Sequence, residues 1–146
     1  MYELVKKKKS LGAKIILFLV GCAIISEFLK VIFGTNLTID ETLMQTAQEA
    51  NKHCPVIIDS TTRLDNVSAL TGNRLLFNYT LIGVEAIPGM DTSAFKDGVK
   101  EMIINKIQTN PKYNQLRKDG VGFAATWYDE KSHYICGLVV DPADYK

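Results

Sequence analysis

The chain has 146 residues, of which 47% are apolar and 23% charged, a size and composition typical of one folded domain with a short appendage rather than of a disordered chain. Its net charge of +1 is unevenly distributed, because the first 34 residues carry six lysines and two glutamates while the rest of the chain is net acidic. A nucleic-acid-binding protein needs a basic face on its folded part, so this distribution argues against a nucleic-acid partner and points to a membrane.

The N-terminal head combines a lysine cluster with a long apolar block. As a helix, residues 15–33 would extend over about 28 Å, close to the ~30 Å hydrocarbon core of a bilayer, and the positive-inside rule would keep the lysines in the cytoplasm. We therefore predict that residues 1–34 are a cytoplasmic basic tip and a signal anchor that contacts the membrane through residues 15–33. Residues 35–146 would then form an extracytoplasmic, periplasmic domain of a single-pass protein in a bacterial inner membrane.

Two other interpretations of the head remain open. One is a cleaved secretory signal peptide. The other is a lipoprotein signal, because the sequence LVGC, which ends at Cys22, resembles the bacterial lipobox, in which the cysteine receives the lipid. All three interpretations place the rest of the chain outside the cytoplasm.

The body shows helix and strand signals in alternation. The sequence TIDE at Thr38 is a capping box that predicts the start of a helix, and Pro55 predicts its end near His53. Two strands, TRLDNVSAL and RLLFNYTLIGV, follow around a TGN turn. A second helix begins around Asp91 to Ser93 and stops at TNP, and PKYNQLRKDG forms a short third helix. A hairpin of VGFAATWYD and HYICGLVVD closes the chain.

This order, α-β-β-α-α-β-β, predicts the fold class. We expect an α+β protein with an N-terminal membrane helix, followed by a four-stranded, mainly antiparallel sheet that two or three helices pack against. About 110 exported residues can bury a hydrophobic core without the help of a metal or a disulfide.

The histidines and cysteines of the body occur at two places, His53–Cys54 and His133–Cys136. Adjacent ligands and a single H-x-x-C pair do not match the four-ligand spacings of zinc sites, so we predict no metal. Outside the cytoplasm cysteines tend to pair, which makes Cys54 and Cys136 a candidate disulfide. A thiol-dependent enzyme that uses Cys54 with His133 is an alternative, although no hydrolase signature surrounds Cys54.

Two further groups of side chains are candidate sites. Asp59, Arg63 and Asp65 predict a polar clasp that fixes a loop entering the sheet, or a recognition patch for a basic or hydroxyl-bearing partner. The aromatic residues of the last hairpin, Trp127, Tyr128 and Tyr134, are expected in the core and on the sheet face, or alternatively as a stacking surface for a peptide or glycan.

The segment CPVIIDSTTRLD, together with RLLFNYTL and ATWYDEKSHYICGLVVDP, resembles a group of small bacterial exported proteins of unknown function. These proteins carry an N-terminal signal or anchor and a C-P-x-x-x-D-x-x-T-R-L-D segment. The resemblance covers the chain from about Asn51 to its end. It implies a bacterial envelope protein and supplies no catalytic residues.

These observations favour a membrane-tethered, extracytoplasmic binding or assembly module of the bacterial cell envelope that has no catalytic activity and no cofactor and that binds an envelope protein. The first alternative is the thiol-dependent enzyme with Cys54 and His133. The second is a lipoprotein of the chaperone or pilotin type that is lipidated at Cys22.

Overall fold

The computed structural model describes residues 37–146. Within this range the chain forms a five-stranded sheet in the strand order β1-β2-β3-β4-β5, together with four α-helices. The elements in chain order are α1 (Ile39–Asn51), β1 (Val56–Asp59), β2 (Thr62–Leu70), β3 (Arg74–Leu81), α2 (Ser93–Thr109), a 3₁₀ turn (Pro111–Tyr113), α3 (Asn114–Asp119), β4 (Gly122–Tyr128), β5 (Tyr134–Val140) and α4 (Pro142–Tyr145).

The α+β class is confirmed, but the predicted four-stranded sheet is wrong. The additional strand is β1, a four-residue segment that pairs antiparallel with β2. The sheet is also mixed, because β3 and β4 run parallel while the other neighbours are antiparallel. A parallel pair needs a long crossover connection, and α2 with the short α3 supplies it.

Among residues 37–146, no helix is both long enough and apolar enough to cross a lipid bilayer. The membrane helix that we placed at residues 15–33, like Cys22, lies outside the described residues. The described fold therefore differs from the predicted one: its sheet has five strands instead of four, and none of its helices is a membrane helix.

The start of α1 confirms the predicted capping box. The Thr38 hydroxyl accepts the Glu41 N–H at 3.3 Å, and the Glu41 carboxylate accepts the Thr38 N–H at 2.9 Å. The same carboxylate also accepts the Thr38 hydroxyl at 2.8 Å, and these two bonds from the Thr38 N–H and hydroxyl favour its ionised form and lower the pKa of Glu41. The helix then buries a stripe of small and branched residues against the sheet: Leu43, Ala47 and Ala50.

The core lies between the sheet and the helices. Trp127 of β4, which is 1% exposed, lies at its centre. Its indole ring stacks on Tyr79 of β3 with centroids 5.6 Å apart, and it meets the edge of Phe95 of α2 at 5.1 Å. Phe123, Ala125 and Trp127 alternate along β4 towards the helices, since all three belong to this core or pack on it. Because α1 and α2 contribute to the same buried cluster, they cover the same side of the sheet, which we call the inner face.

The side chain of Asn51 completes β2 where β1 ends. The β1–β2 ladder reaches only the pair Val56–Leu64, so the next part of β2 has no neighbouring strand on that side. The Asn51 amide group donates to the Val67 carbonyl at 2.7 Å and accepts the Val67 N–H at 2.8 Å. One side chain thus provides the two hydrogen bonds that a strand backbone would provide, and it joins the end of α1 to β2.

Candidate functional site

The side of the sheet opposite α1 and α2 is the candidate site, and we call it the outer face. It consists of the strand residues that alternate with the core positions, namely Ile57, Arg63, Asn66, Ser68, Leu70, Arg74, Leu76, Asn78, Thr80, Gly122, Ala124, Thr126, Tyr128, Tyr134, Gly137 and Val139. Asp65 joins them because a register shift between Leu64 and Asn66 makes it a bulge residue.

Exposed apolar side chains concentrate on the outer face. Four of the six large apolar side chains that are exposed among the described residues lie there: Ile57 (60%), Leu70 (38%), Tyr134 (60%) and Val139 (41%). Ile57 and Tyr134 are at the β1 and β5 ends of one cross-strand row, while Leu70 and Val139 lie on β2 and β5 towards the other end of the sheet. Single exposed apolar residues are common, but their concentration near the corners of one face is typical of a contact surface.

The predicted Arg63–Asp65 pair is present and forms part of a closed triangle on this face. The Arg63 Nε lies 2.5 Å from Asp65 Oδ1, the Thr80 hydroxyl donates to Asp65 Oδ2 at 2.6 Å, and Arg63 Nη2 donates to the Thr80 oxygen at 3.1 Å. Thr80 was missed by the sequence reasoning. It stands directly opposite Arg63 on β3, so correct strand pairing would have identified it.

Asp59, which we grouped with this pair, has a different position. It is 8% exposed at the end of β1, and its Oδ1 accepts both the N–H and the hydroxyl of Thr61 at 2.7 Å. These bonds stabilise the β1–β2 turn, and they do not involve Arg63, Asp65 or Thr80.

The middle of the outer face is polar, and its β5 side is aromatic. Asn78 donates to Asn66 at 2.8 Å across β2 and β3. The rings of Tyr128 and Tyr134 meet edge to face with centroids 6.1 Å apart. Trp127, which we considered for the same aromatic surface, points into the core, because successive residues of a strand face opposite sides.

The two cysteines are free thiols at opposite edges of the sheet. Cys54 precedes β1 and Cys136 lies on β5, and the four strand spacings between those strands amount to about 19 Å. A disulfide requires Cα atoms within about 7 Å, so the structure does not bring the proposed partners together.

The same separation applies to Cys54 and His133, which immediately precedes β5. Burial and then the nearby Asp65 carboxylate raise the pKa of Cys54, and burial raises that of Cys136 despite the opposing effects of Lys96 and Thr92. A raised pKa disfavours the thiolate, which is the nucleophilic form. His133 is therefore not placed to act as a base for Cys54, and the raised pKa opposes activation of the Cys54 thiol.

The turn between β4 and β5 is organised around Asp129, a residue that the sequence reasoning missed. Its carboxylate is 2% exposed and accepts the N–H groups of Lys131 (2.9 Å), His133 (2.8 Å) and Ala86 (3.1 Å), with His133 Nδ1 at 3.0 Å. Desolvation acts to raise its pKa, but the hydrogen bonds from His133, Ala86 and Lys131 outweigh it and lower the pKa to about 2. An aspartate whose carboxylate accepts the backbone N–H two residues further on is a typical turn-forming residue, so Asp129 could have been recognised in the sequence.

Asp129 thereby ties the hairpin to the loop that follows β3. Two neighbouring contacts reinforce this connection: Glu130 accepts the Gly83 N–H at 3.0 Å, and Lys131 pairs with Glu85 at 2.8 Å. Although carboxylates and a histidine occur close together here, no group of three or more potential ligands within residues 37–146 is arranged to hold a metal ion.

The profile of one protein family matches residues 38–136, from the cap of α1 into β5. The chain belongs to this family, a domain of unknown function designated DUF8479. Its match covers the whole outer face except the end of β5. No curated protein matches the sequence.

Solved structures share the fold of this DUF8479 chain. One is a candidate secreted protein from Pseudomonas aeruginosa, 16% identical with a TM-score of 0.59 over 74% of this chain and 93% of that one. Two others are type 2 secretion system pilotins, EpsS from Vibrio vulnificus (10% identical, TM-score 0.54, 74% and 92% covered) and AspS from Vibrio cholerae (8% identical, TM-score 0.51, 73% and 91% covered). The TM-scores show that the fold is shared, and at identities this low the likeness concerns the fold alone.

Proposed function

We propose that this DUF8479 protein is a non-catalytic assembly module of the bacterial cell envelope, and that it binds another envelope protein through its outer face. The observation that carries this proposal is the concentration of exposed apolar side chains on the one sheet face that α1 and α2 leave open. The fold that it shares with pilotins of type 2 secretion systems supports a role in an envelope secretion assembly.

The dimensions of the outer face suit a protein partner. The face measures about 19 Å across the strands and about 24 Å along a seven-residue strand. A standard protein interface buries about 800 Å² on each partner, so such a partner would cover the whole face and reach its rim. Apolar residues at the corners, such as Ile57 and Leu70, would then lose their remaining exposure.

The polar centre would give the contact its specificity. Arg63, Asp65 and Thr80 hold one another in fixed positions, and such pre-organised groups lose little conformational freedom on binding. We therefore expect a partner that offers hydrogen-bonding groups opposite this triangle and apolar groups opposite the corners.

The thiol-dependent enzyme has no comparable support, because Cys54 and His133 lie at opposite edges of the sheet and the raised pKa of Cys54 disfavours its thiolate.

The proposal also includes an extracytoplasmic location. Alkaline phosphatase fused to the C-terminus of the full chain is expected to be active in cells, because this enzyme requires an oxidising compartment. Activity of a cytosolic reporter alone would contradict the location.

A more specific version is a pilotin-type lipoprotein that is lipidated at Cys22. Its support is the LVGC sequence together with the pilotin fold of the body. Metabolic labelling with a radioactive fatty acid is expected to label the full chain and the control Cys54→Ser, but not Cys22→Ser. Equal labelling of Cys22→Ser, or no label on any of the three proteins, would rule out this version.

The outer-face proposal is tested by affinity purification of the full chain after chemical cross-linking in its own host. Leu70→Lys places a charge on the outer face, whereas Met44→Lys places the same charge on α1 at a side chain that is 54% exposed. We expect one discrete envelope protein to be captured by the wild type and by Met44→Lys and to be lost with Leu70→Lys. Capture that Leu70→Lys leaves unchanged would contradict binding through the outer face.

A further inference from the structure

An open cleft of about 570 Å³ lies among the helices, where α2, α3 and α4 meet. We call it the basic cleft, and its lining residues are Gln108, Asn114, Arg117, Lys118, Tyr145 and Lys146. Three of these side chains are cationic and none is acidic. A cleft that presents one sign of charge concentrates ligands of the opposite sign.

The protein does not neutralise the charge of the basic cleft. The chain from residue 35 onwards is net acidic, yet residues 106–118 contain four basic side chains and no acidic one. Asp119, which follows them, accepts a hydrogen bond from Gln115 at 2.9 Å. Five basic side chains outside the cleft pair with carboxylates: Lys52, Arg63, Arg74, Lys100 and Lys131. By contrast, no carboxylate within residues 37–146 pairs with any of the three cations of the cleft.

Arg117 is held in place by neutral acceptors. Its Nη1 donates to the main-chain carbonyls of Ile107 and Gln108 in the last turn of α2, the latter at 2.9 Å. Its Nη2 donates to the side-chain oxygen of Asn114. These bonds use three of the five N–H groups of the guanidinium, so two donors and the full charge remain for a ligand. Because the side chain is already fixed, it loses little conformational freedom when it binds.

The Lys146 ammonium group is folded back towards the same helix. Its Nζ lies 3.5 Å from the place that a Cβ on Gly120 would occupy, directly after the end of α3. The absence of a side chain at Gly120 thus leaves room for this ammonium group. It lies beside the helix that carries Arg117 and Lys118, and the three like charges repel one another unless an anion lies between them.

We propose that the basic cleft binds a phosphate ester. A phosphate monoester carries a charge of about −1.5 to −2 and three strong acceptor oxygens, which suits three cations better than the single charge of a carboxylate. A guanidinium binds phosphate through two parallel N–H bonds, and lysines bind it as point charges. The cleft volume is within the range of about 300–1,000 Å³ that is typical of small-molecule sites, so the organic part of the ester fits as well.

This site goes beyond the proposed function and does not depend on it, because its lining residues belong to the helices and not to the outer face. The ester is either a soluble metabolite or the headgroup of a phospholipid. Both present the same phosphate chemistry to the cleft, and the experiment distinguishes them.

Isothermal titration calorimetry of the full chain in a non-ionic detergent at low salt tests the site with two probes. One is glycerol 3-phosphate, and the other is glycerophosphoglycerol, the deacylated headgroup of an anionic phospholipid. We expect the wild type to bind at least one probe with a Kd below about 1 mM. Lys118→Gln and Lys146→Gln should each weaken binding by about five- to tenfold, because each removes a charge-assisted contact.

The matched control is Lys52→Gln, which removes the same charge after the end of α1 and should keep the affinity within about twofold. All three lysines are exposed, so we expect the variants to fold. Tighter binding of glycerol 3-phosphate supports a soluble ester as the ligand, and tighter binding of glycerophosphoglycerol supports a lipid headgroup.

A wild type that binds neither probe with a Kd below about 10 mM would overturn the proposal. Unchanged affinity in both Lys118→Gln and Lys146→Gln would also overturn it. If Lys52→Gln weakens binding as much as they do, the phosphate responds to net charge and not to the basic cleft, and the proposal is wrong.

Discussion

Replacing Asn51 by alanine tests the joint between α1 and β2. The substitution leaves the N–H and the carbonyl of Val67 without their two side-chain partners. At ~0.5–1.5 kcal/mol for each hydrogen bond, the loss is ~1–3 kcal/mol, of which the better helix propensity of alanine returns about 0.5 kcal/mol. Asn51 is an exposed residue, so water can replace part of both bonds, and we expect a net loss of about 0.5–2 kcal/mol.

Urea unfolding of the full chain provides the assay, because the chain contains one tryptophan and Trp127 is 1% exposed. Its fluorescence reports the core directly. With an ordinary slope for a domain of this size, the midpoint should fall by about 0.5–1.5 M while the slope stays unchanged. Asn51→Asp should be at least as destabilising, since it keeps the acceptor but turns a carboxylate oxygen towards the Val67 carbonyl.

The matched control is Asn105→Ala, which removes an exposed asparagine from α2 and should leave stability unchanged or slightly increased. If Asn51→Ala unfolds within about 0.3 kcal/mol of the wild type, the amide of Asn51 does not substitute for a strand. The same conclusion follows if Asn105→Ala costs as much as Asn51→Ala.

Three further predictions concern the core, the hairpin and the thiols. Trp127→Ala should destabilise the domain by about 3–5 kcal/mol in thermal unfolding followed by circular dichroism, and a loss below about 1 kcal/mol would contradict its central position. The pKa of Asp129 is lowered to about 2 in the folded protein, so its contribution to stability is present above its ordinary value of 3.8 and is lost as the pH falls through the folded value. Asp129→Asn should therefore show a smaller loss of unfolding free energy between pH 4 and pH 2 than the wild type, and parallel profiles would refute this. Because Cys54 and Cys136 are free thiols, dithiothreitol should leave the urea midpoint unchanged, whereas a fall would indicate a disulfide.

The sequence predicts those elements whose signals are local. The start of α1 follows from the hydrogen-bonding complementarity of Thr38 and Glu41, which needs no other part of the chain. The end of α3 follows from Gly120, whose φ of +65° suits a residue without a side chain. Both are confirmed because capping depends on residues within one turn of each other.

The number and direction of the strands depend on distant pairings and were predicted less well. β1 is too short to show an alternating pattern, and its place at the edge of the sheet is set by its pairing with β2. The parallel β3–β4 pair results from a crossover whose path no local signal specifies.

In the candidate site, too, local features could be predicted from the sequence, whereas features that depend on strand pairing could not. The Arg63–Asp65 pair could be predicted from its spacing, although the bulge at Asp65 positions it on the outer face. The third member, Thr80, requires the β2–β3 register. The disulfide of Cys54 and Cys136 was predicted from compartment and chain ends alone, and the strand order separates the two residues.

Site-specific photo-cross-linking in living cells tests the central claim most directly. A photoreactive residue in place of Ile57, on the outer face and away from β5, is compared with the same residue in place of Met44 on α1; both native side chains are more than half exposed. Binding through the outer face predicts one discrete adduct with an envelope protein from position 57 and none from position 44. The same adduct from both positions, or from position 44 alone, would contradict it.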